Sequence, residues 1–517
     1  MNDSNDRERG GVSTRAAALL AVVAVLLLSV PRLKRIGDVY EDNYHGNLCA
    51  WFGMMAENMS ESGFRETRFM PHVNPDKTVF GNFQYYLTHP VMDVVSRAVL
   101  VRTLGPHEWV ARLNGAFGCA LAAAMVFVFT LRRAGPTAAF AATVVLAALP
   151  MYDLVGHLSM HHAMTLGLGL SAWNLNDRLR ERGGGWAGWG AFGLLLLLGM
   201  QWDWPGYFVP FLLWIDALPR PIGSGFRKRT FVALPILVAL SLFWVYFHVD
   251  VLCGKSLVGA LKIASEPTPE RLAAGWSGML ANVWKHQLHY FGWGSVGATA
   301  AALVLVGFGP FRAHRRTLVL LALYGALNYI AFPTKGPFEY FWGCYWLVLV
   351  AFAAGLLADL ARRLLLPMFG ARAAWLVAGL ALGIAATVKY RTPWDDAARL
   401  RAEQIRDNIR TIVAAIAPED RGVVVTNRVI GNGSIVLAYA RMNVLMQQFP
   451  AGEIHRARGL VRRLLPHLAG RRVLFLYDQT AAPTEADARA EIAALSQFGK
   501  PYHGIAALID ITSFVWN

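Results

Sequence analysis

The chain has 517 residues, 55% of them hydrophobic and 16% charged, with a mean hydropathy of +0.37. A soluble chain carries about 25% charged residues, so this composition excludes an ordinary water-soluble protein. The net charge of +15 would suggest nucleic acid in a soluble protein, but here the basic residues sit in short loops between apolar blocks, where membrane topology accounts for them.

Residues 1–13 are polar and read as a disordered cytoplasmic tail. Ala16–Val30 is apolar, lacks a small-x-small cleavage site and runs into Pro31-Arg-Leu-Lys-Arg35. It reads as a retained first span rather than a cleaved signal. Further apolar blocks lie near 109–131, 137–151, 163–175, 186–200, 206–218, 230–248, 297–311, 317–332, 342–358 and 371–388. Taken as spans of roughly 20 residues, some of them short or interrupted, they give about 11 transmembrane helices. Breaks such as Pro150 and Pro235 are tolerated where neighbouring helices satisfy the backbone. An N-terminus inside puts Arg132, Arg133, Arg178, Arg180, Arg182, Arg227, Lys228, Arg229, Arg312, Arg315, Arg316, Arg362 and Arg363 in inner loops. The short outer loops 152–162, 201–205 and 333–341 then hold only Lys335. That asymmetry fits the positive-inside rule. Arg32, Lys34 and Arg35 are the exception and fall outside, where they could meet anionic lipid phosphate.

The first outer loop, 32–108, is long enough to hold helices. Leu48, Trp51, Phe52, Met55 and Met59 recur at spacings of three and four, which predicts an interfacial amphipathic helix over Asn47–Ser62. Gly63 ends it, and Gly105-Pro106 ends a second helix over Val91–Leu104. Ahead of the first helix stands Gly37-Asp-Val-Tyr-Glu-Asp-Asn-Tyr-His45, with Asp38, Glu41, Asp42 and His45. A carboxylate here can serve as a general base, worth about 10²–10⁴-fold. Crowding of like charges raises a carboxyl toward working pH. The plainer reading is a set of solvated loop carboxylates.

These segments resemble a known family. Glu41-Asp42, Glu57–Gly63 (Glu-Asn-Met-x-x-Ser-Gly), Tyr86–Pro90 (Tyr-x-x-His-Pro) and Leu104–Leu113 (Leu-Gly, then Ala-Arg-Leu) follow the order found in polyprenyl-phosphate-sugar-dependent glycosyltransferases of the GT-C fold. Its members include protein O-mannosyltransferases, the aminoarabinose transferase of lipid A and dolichyl-phosphate-mannose-type enzymes. The resemblance covers roughly residues 15–390. It implies transfer of a sugar from a polyprenyl phosphate to a lipid, glycan or protein acceptor outside the cytoplasm. It implies as well that Asp42 or Glu41 is the base, Asp42 by a slight preference, with Asp38 third.

The next outer loop carries Asp153, His157, His161 and His162. On one helix His157 and His161 would share a face. With Asp153 they offer three donors for a divalent ion, although hydrogen bonding to substrate is the commoner use. No cofactor is required by the pattern. Asp203 lies between Trp202 and Trp204, where it could grip sugar hydroxyls; an interfacial tryptophan belt is the alternative. Lys335, Glu339 and Tyr340 lie in a tight outer loop, and Lys335, His89 and the other histidines are candidates to meet the leaving phosphate, whose growing charge requires cations. Tyr86 and His45 complete the substrate-binding candidates.

From residue 389 the composition changes. A helix over Trp394–Ala417 is followed by strands at Val423–Thr426, Val444–Gln448, Val473–Tyr477 and Ala507–Ile511, with helices near 451–468 and 484–497. The alternation predicts a small extracytoplasmic α/β domain over 389–517. The resemblance implies that residues 14–388 form a GT-C-like transmembrane domain. Gly431-Asn-Gly433 lacks the third glycine of a dinucleotide fingerprint. Cys49, Cys119, Cys253 and Cys344 are scattered and imply neither zinc nor disulfides. Expected, then, is a multi-pass, α-helical glycosyltransferase of the cell's inner membrane, with no nucleic-acid partner. A transporter or flippase of lipid-linked sugars is the alternative, which paired repeats and midplane ionisable groups would favour.

Overall fold

The structure is a computed structural model. It describes residues 13–40, 44–74, 85–157, 161–219, 225–266, 269–305, 309–333, 339–370, 372–390, 396–417, 423–426, 443–448, 454–464, 472–477 and 484–516. The chain forms two compact units. The first comprises Met1–Ile36, Leu87–Asp93 and Leu113–Pro393; the second comprises Gly37–Tyr86, Val94–Arg112 and Trp394–Asn517.

The first unit opens with α1 (Thr14–Lys34), whose Ser13 cap accepts a hydrogen bond from the Ala16 amide at 3.2 Å. This helix is apolar all round, but its two faces differ. Ala17, Ala21, Ala24 and Leu28 are buried, while Leu19, Val22, Leu26 and Leu27 are exposed. Small residues inside and large ones outside is the pattern of a span packed by close approach and facing lipid on its other side. In chain order α2 (Tyr44–Ser62) and most of α3 (Met92–Leu104) follow as parts of the second unit, and the first unit resumes with α4 (Glu108–Ala134), α5 (Pro136–Ala148) and α6 (Pro150–His157). Pro150 cannot extend α5, and the two helices meet at 63°. The alanine-rich α5 lies at the centre of the unit: Ala138, Ala139, Ala141, Ala142 and Ala147 are buried.

The remaining helices of this unit are α7 (His162–Arg182), α8 (Trp186–Trp202), α9 (Phe208–Ala217), α10 (Gly225–Tyr246), α11 (Leu257–Ser265), α12 (Pro269–Leu305), α13 (Arg315–Ala331), α14 (Leu347–Phe369) and α15 (Arg372–Tyr390). Three of them, α1, α14 and α15, pack against α5. A break at Gly275 and another at Gly292 divide α12, with φ of 58° and 73°. Among the described residues, five helices are long and apolar enough to cross a membrane, or six if the bent α5–α6 pair counts as one span. The chain is thus an α-helical integral membrane protein.

Basic residues of the predicted inner loops are drawn into an ion-pair chain. Arg133 of α4 pairs with the buried Asp177 of α7. Arg180 Nη1 lies 3.2 Å from Asp177 and 3.3 Å from Asp216 of α9. Arg316 Nε of α13 closes the chain at 2.8 Å from Asp216. Four helices are tied together this way. These positive charges therefore fix helix packing.

In the second unit, α2 begins three residues before the expected start, and α3 begins one residue after it. The C-terminal part has α16 (Asp396–Ala414), β1 (Val423–Thr426), β2 (Asn443–Gln448), α17 (Ile454–Leu464), β3 (Val473–Leu476), α18 (Glu485–Leu495), β4 (Lys500–Tyr502), β5 (Ile505–Asp510) and α19 (Thr512–Trp516). The five strands form one sheet in the order β2-β1-β3-β5-β4. β1 runs parallel to β2 and β3, while β5 is antiparallel to β3 and β4. Val473, Phe475, Ile509 and Ile511 are buried in its core with Val461, Leu495 and Val515 from the helices. An α/β organisation of this segment agrees with the sequence; β4 is an additional strand.

Candidate functional site

In the first unit, polar side chains from three separate turns converge on one carboxylate. Asp203 joins α8 to a short 3₁₀ turn, Trp204–Tyr207, in extended conformation with φ −164°. Its Oδ1 accepts from the Trp204 amide at 2.8 Å, capping that turn. Gly206 allows the tight return, because a Cβ there would overlap the carbonyl of Gly199. Asp203 is wholly buried.

Around it stand three imidazoles. His89 Nδ1 lies 3.0 Å from Oδ1. His161 Nε2 lies 3.2 Å and His162 Nδ1 3.3 Å from Oδ2. The Tyr345 hydroxyl adds a long contact to Oδ2 at 3.4 Å and lies 3.2 Å from His162 Nδ1. The His89 and His161 rings lie 4.8 Å apart. Burial alone would raise the Asp203 carboxyl. The charge of His161 and hydrogen bonds from His162 and His89 outweigh it and hold the group below the usual carboxylate range. Asp203 is therefore built to stay ionised and to orient imidazoles, a poor setting for a proton acceptor.

The surroundings fix each imidazole. Trp204 Nε1 donates to the carbonyl of Thr88 at 2.7 Å, beside His89. Four residues on, Asp93 accepts from Asn114 Nδ2 at 3.3 Å and Trp202 Nε1 at 3.2 Å. Both tryptophan N–H groups flanking Asp203 are thus engaged within the protein. His161 and His162 open α7, whose first turn crosses α4 at Gly118; a Cβ on Gly118 would overlap the backbone of Ala163 and Met164. His162 also stacks on Phe341, centroids 5.0 Å apart.

This differs from the sequence expectation in one respect. His157 closes α6, and His161 precedes α7. Residues 158–160, between the two, lie outside the described residues. The donor group brought together is His89, His161 and Asp203, whose ligand atoms all lie within 4.8 Å of one another. Asp153 and His157 are buried on α6. Near them Arg32 also turns inward. It is buried, with its guanidinium 5.2 Å from the Tyr152 ring centroid. Tyr345 and Asp93 were not among the sequence candidates.

In the second unit, the acidic stretch is clamped at its start. Arg112 donates through Nη1 to the carbonyl of Asp38 and through Nη2 to that of Val39 at 3.1 Å. Its guanidinium lies 5.4 Å from the Tyr40 ring centroid. Arg112 is the arginine of the Ala-Arg-Leu segment, so that motif has a physical role in holding the acidic loop. Asp38 Oδ2 lies 3.9 Å from Arg399 Nε of α16. Glu41 and Asp42 lie outside the described residues, and so does Lys335. His45 lies in the first turn of α2 and Tyr340 opens a 3₁₀ turn, but the side chains of both are outside the described set. Tyr86 packs edge-on against Phe52 with centroids 5.8 Å apart. Glu339 Oε2 accepts from Trp342 Nε1 at 3.0 Å.

No protein-family model and no curated protein sequence matches the chain. Solved structures do. ArnT from Cupriavidus metallidurans in the apo state gives a TM-score of 0.60 at 14% identity, covering 96% of this chain and 99% of that one. The same protein bound to undecaprenyl phosphate gives 0.58 at 13%, covering 90% and 93%. The Archaeoglobus fulgidus oligosaccharyltransferase, in a complex with Zn and sulfate, gives 0.57 at 14%, covering 88% of this chain and 67% of that one. These neighbours have the GT-C glycosyltransferase fold. At such identities the likeness establishes a shared fold, the one expected from the motif order.

Proposed function

We propose that the chain is an integral-membrane glycosyltransferase that moves a sugar from a polyprenyl-phosphate donor to an extracytoplasmic acceptor. The observation that carries this reading is the fold match to ArnT along 96% of this chain and 99% of that one. Structures of these neighbours have been solved with undecaprenyl phosphate in one case and with dolichol-phosphate and an inhibitory peptide in another. In this reading about 11 spans cross the inner membrane, the N-terminus is cytoplasmic, and the C-terminal α/β domain is outside.

The chemistry then runs as a single displacement. An acceptor hydroxyl or amine attacks the anomeric carbon. The bond from that carbon to the phosphate oxygen breaks, and polyprenyl phosphate leaves with the bonding pair. The acceptor's proton passes to a first-loop carboxylate, Asp42 by preference and Glu41 next. Arg112 keeps the chain leading to those acids in place through the Asp38 and Val39 carbonyls. Asp203 and its histidines supply a fixed array of buried polar groups, and a preorganised array needs no rearrangement as charge develops. Purified protein supplied with radiolabelled polyprenyl-phosphate sugars tests the reading. Label should leave the lipid with wild-type protein and remain on it with Asp42→Asn and Glu41→Gln combined. Full activity in that double variant removes the first-loop carboxylates from the mechanism.

A further inference from the structure

We infer that the groove between α8 and α10 holds one anionic glycerophospholipid of the surrounding bilayer, with its phosphate on Arg229, one of its oxygens on the Trp189 indole and an acyl chain along a glycine floor. The groove has a volume of about 940 Å³, near the top of the roughly 300–1,000 Å³ range of small-molecule sites. Its floor is bare backbone of α8. A Cβ on Gly190 would meet nothing within 4 Å, and one on Gly193 would only touch Leu237 at 3.8 Å. Leu197 and Leu237 line the sides, and Leu194 and Ile236 are exposed at the rim. From Trp189 to Leu197 the floor is about 12 Å long at the rise of an α-helix. A long apolar trough of this kind suits a hydrocarbon chain.

The polar end of the groove offers donors only. Arg229 lines it and makes no hydrogen bond or ion pair among the described residues. By contrast, Arg133, Arg180 and Arg316 are all engaged in the ion-pair chain. Trp189 Nε1 is shielded from solvent and has no partner among the described residues either. The two groups share one end of the groove, because the Trp189 ring lies 6.0 Å from Phe226, about one helical turn before Arg229. A guanidinium and an indole N–H accept no hydrogen bonds, so the ligand must bring acceptor oxygens. A phosphodiester matches both the charge and the fork of the guanidinium. An unmade bond at a shielded N–H is costly, which favours a ligand oxygen at Trp189. Trp186, 95% exposed, stands at this end as an interfacial tryptophan would.

From Trp189 to Trp202, α8 runs for about 20 Å. The lipid's head therefore sits far from Asp203, and this lipid is distinct from a sugar donor. The inference is independent of sugar transfer, and its test reads lipid directly. Full-length protein in detergent is given equal amounts of phosphatidylglycerol and phosphatidylcholine with the same acyl chains, and bound lipid is counted by native mass spectrometry. Wild-type protein should hold about one phosphatidylglycerol per chain, preferred by about tenfold, as expected of a charge-assisted contact. Arg229→Gln should bring the preference close to one, and Trp189→Phe should weaken both lipids by about threefold or more. Gly190→Leu fills the floor and should block the groove. Leucine is the better helix former and meets open space there, so this variant should elute and melt like wild type. Phosphatidylglycerol carrying a mid-chain diazirine should crosslink to α8 or α10 in wild type and not in Gly190→Leu. Equal binding of the two lipids, a preference that survives Arg229→Gln, or crosslinks unchanged in Gly190→Leu overturns the assignment and leaves unselective bilayer lipid only. A wild-type dimer that Gly190→Leu dissociates overturns it as well and gives the groove to a second copy of the chain.

Discussion

His89 Nδ1 lies 3.0 Å from Asp203 Oδ1 although 114 positions separate the two residues in the chain. Neither residue can reach the other unless the 87–93 segment, α4, α7 and α8 are all in place. The pair therefore reports on assembly of the polar site as well as on its chemistry.

Asp203→Asn keeps the shape and removes the charge that the imidazoles share. Removing one partner of a buried ionic contact costs about 3–5 kcal/mol where the remaining group stays charged. Asp203→Asn should lower the thermal midpoint of the detergent-solubilised protein by several degrees and reduce sugar transfer by about tenfold or more. A variant with wild-type melting and wild-type transfer would show that the cluster organises nothing.

Arg112 is a second test of positioning. Arg112→Met keeps much of the stem but leaves the Asp38 and Val39 carbonyls without their donors. Transfer should fall by about 10²-fold, as expected when a general base is misplaced. Asp38→Asn, by contrast, leaves both carbonyls intact and should keep activity within about threefold, because a side-chain contact of 3.9 Å to Arg399 is a weak ion pair. Equal loss in both variants would mean that the Asp38 carboxylate itself takes part.

The ion-pair chain from Arg133 to Arg316 makes a prediction about stability alone. Asp177 is almost fully buried against Arg133. Asp177→Leu should destabilise by about 3 kcal/mol, and the double variant Arg133→Met/Asp177→Leu should recover most of it, because no buried charge is then stranded. Thermal unfolding of the four proteins of the cycle measures the coupling. Additive losses would show that the pair is not coupled.

A pH effect follows from His72, between α2 and α3. Burial pushes its imidazole down to about 4, even though Nδ1–H donates to the Asn74 carbonyl at 2.6 Å. Above the unfolded value of about 6.5 both states are neutral and the residue contributes nothing. Between about 6.5 and 4 the unfolded chain binds a proton that the folded one refuses, so stability falls as the pH falls, by up to about 3 kcal/mol. The melting midpoint should drop between pH 7 and pH 5 by more in wild type than in His72→Gln. Parallel curves would rule His72 out as the source.

The mostly helical, apolar frame was legible in the sequence because long apolar blocks and the prolines between them record helices that can face lipid. The C-terminal strands were legible from β-branched runs such as Val423-Val-Val-Thr426. β4 was not. It spans only Lys500–Tyr502 at the sheet edge and contains Pro501, which sequence patterns read as a loop. His89, His161, His162 and Asp203 were each visible as polar residues in turns between apolar blocks. Their meeting was not, because it depends on close crossings at Gly118 and Gly206 that no local periodicity encodes. Tyr345 lies inside an apolar aromatic run, and nothing in its neighbours marks it as a partner of Asp203.

The central claim is that a glycosidic phosphate bond is broken at this protein. The most direct measurement uses protein reconstituted in vesicles, a polyprenyl phosphate carrying a radiolabelled sugar, and separation of lipid-linked from released or acceptor-linked label. The account predicts that wild-type protein converts the donor to free polyprenyl phosphate and transferred sugar, and that Asp42→Asn is reduced by about 10²–10⁴-fold. Passage of the intact sugar lipid from one leaflet to the other, with its sugar–phosphate bond unbroken, would contradict it.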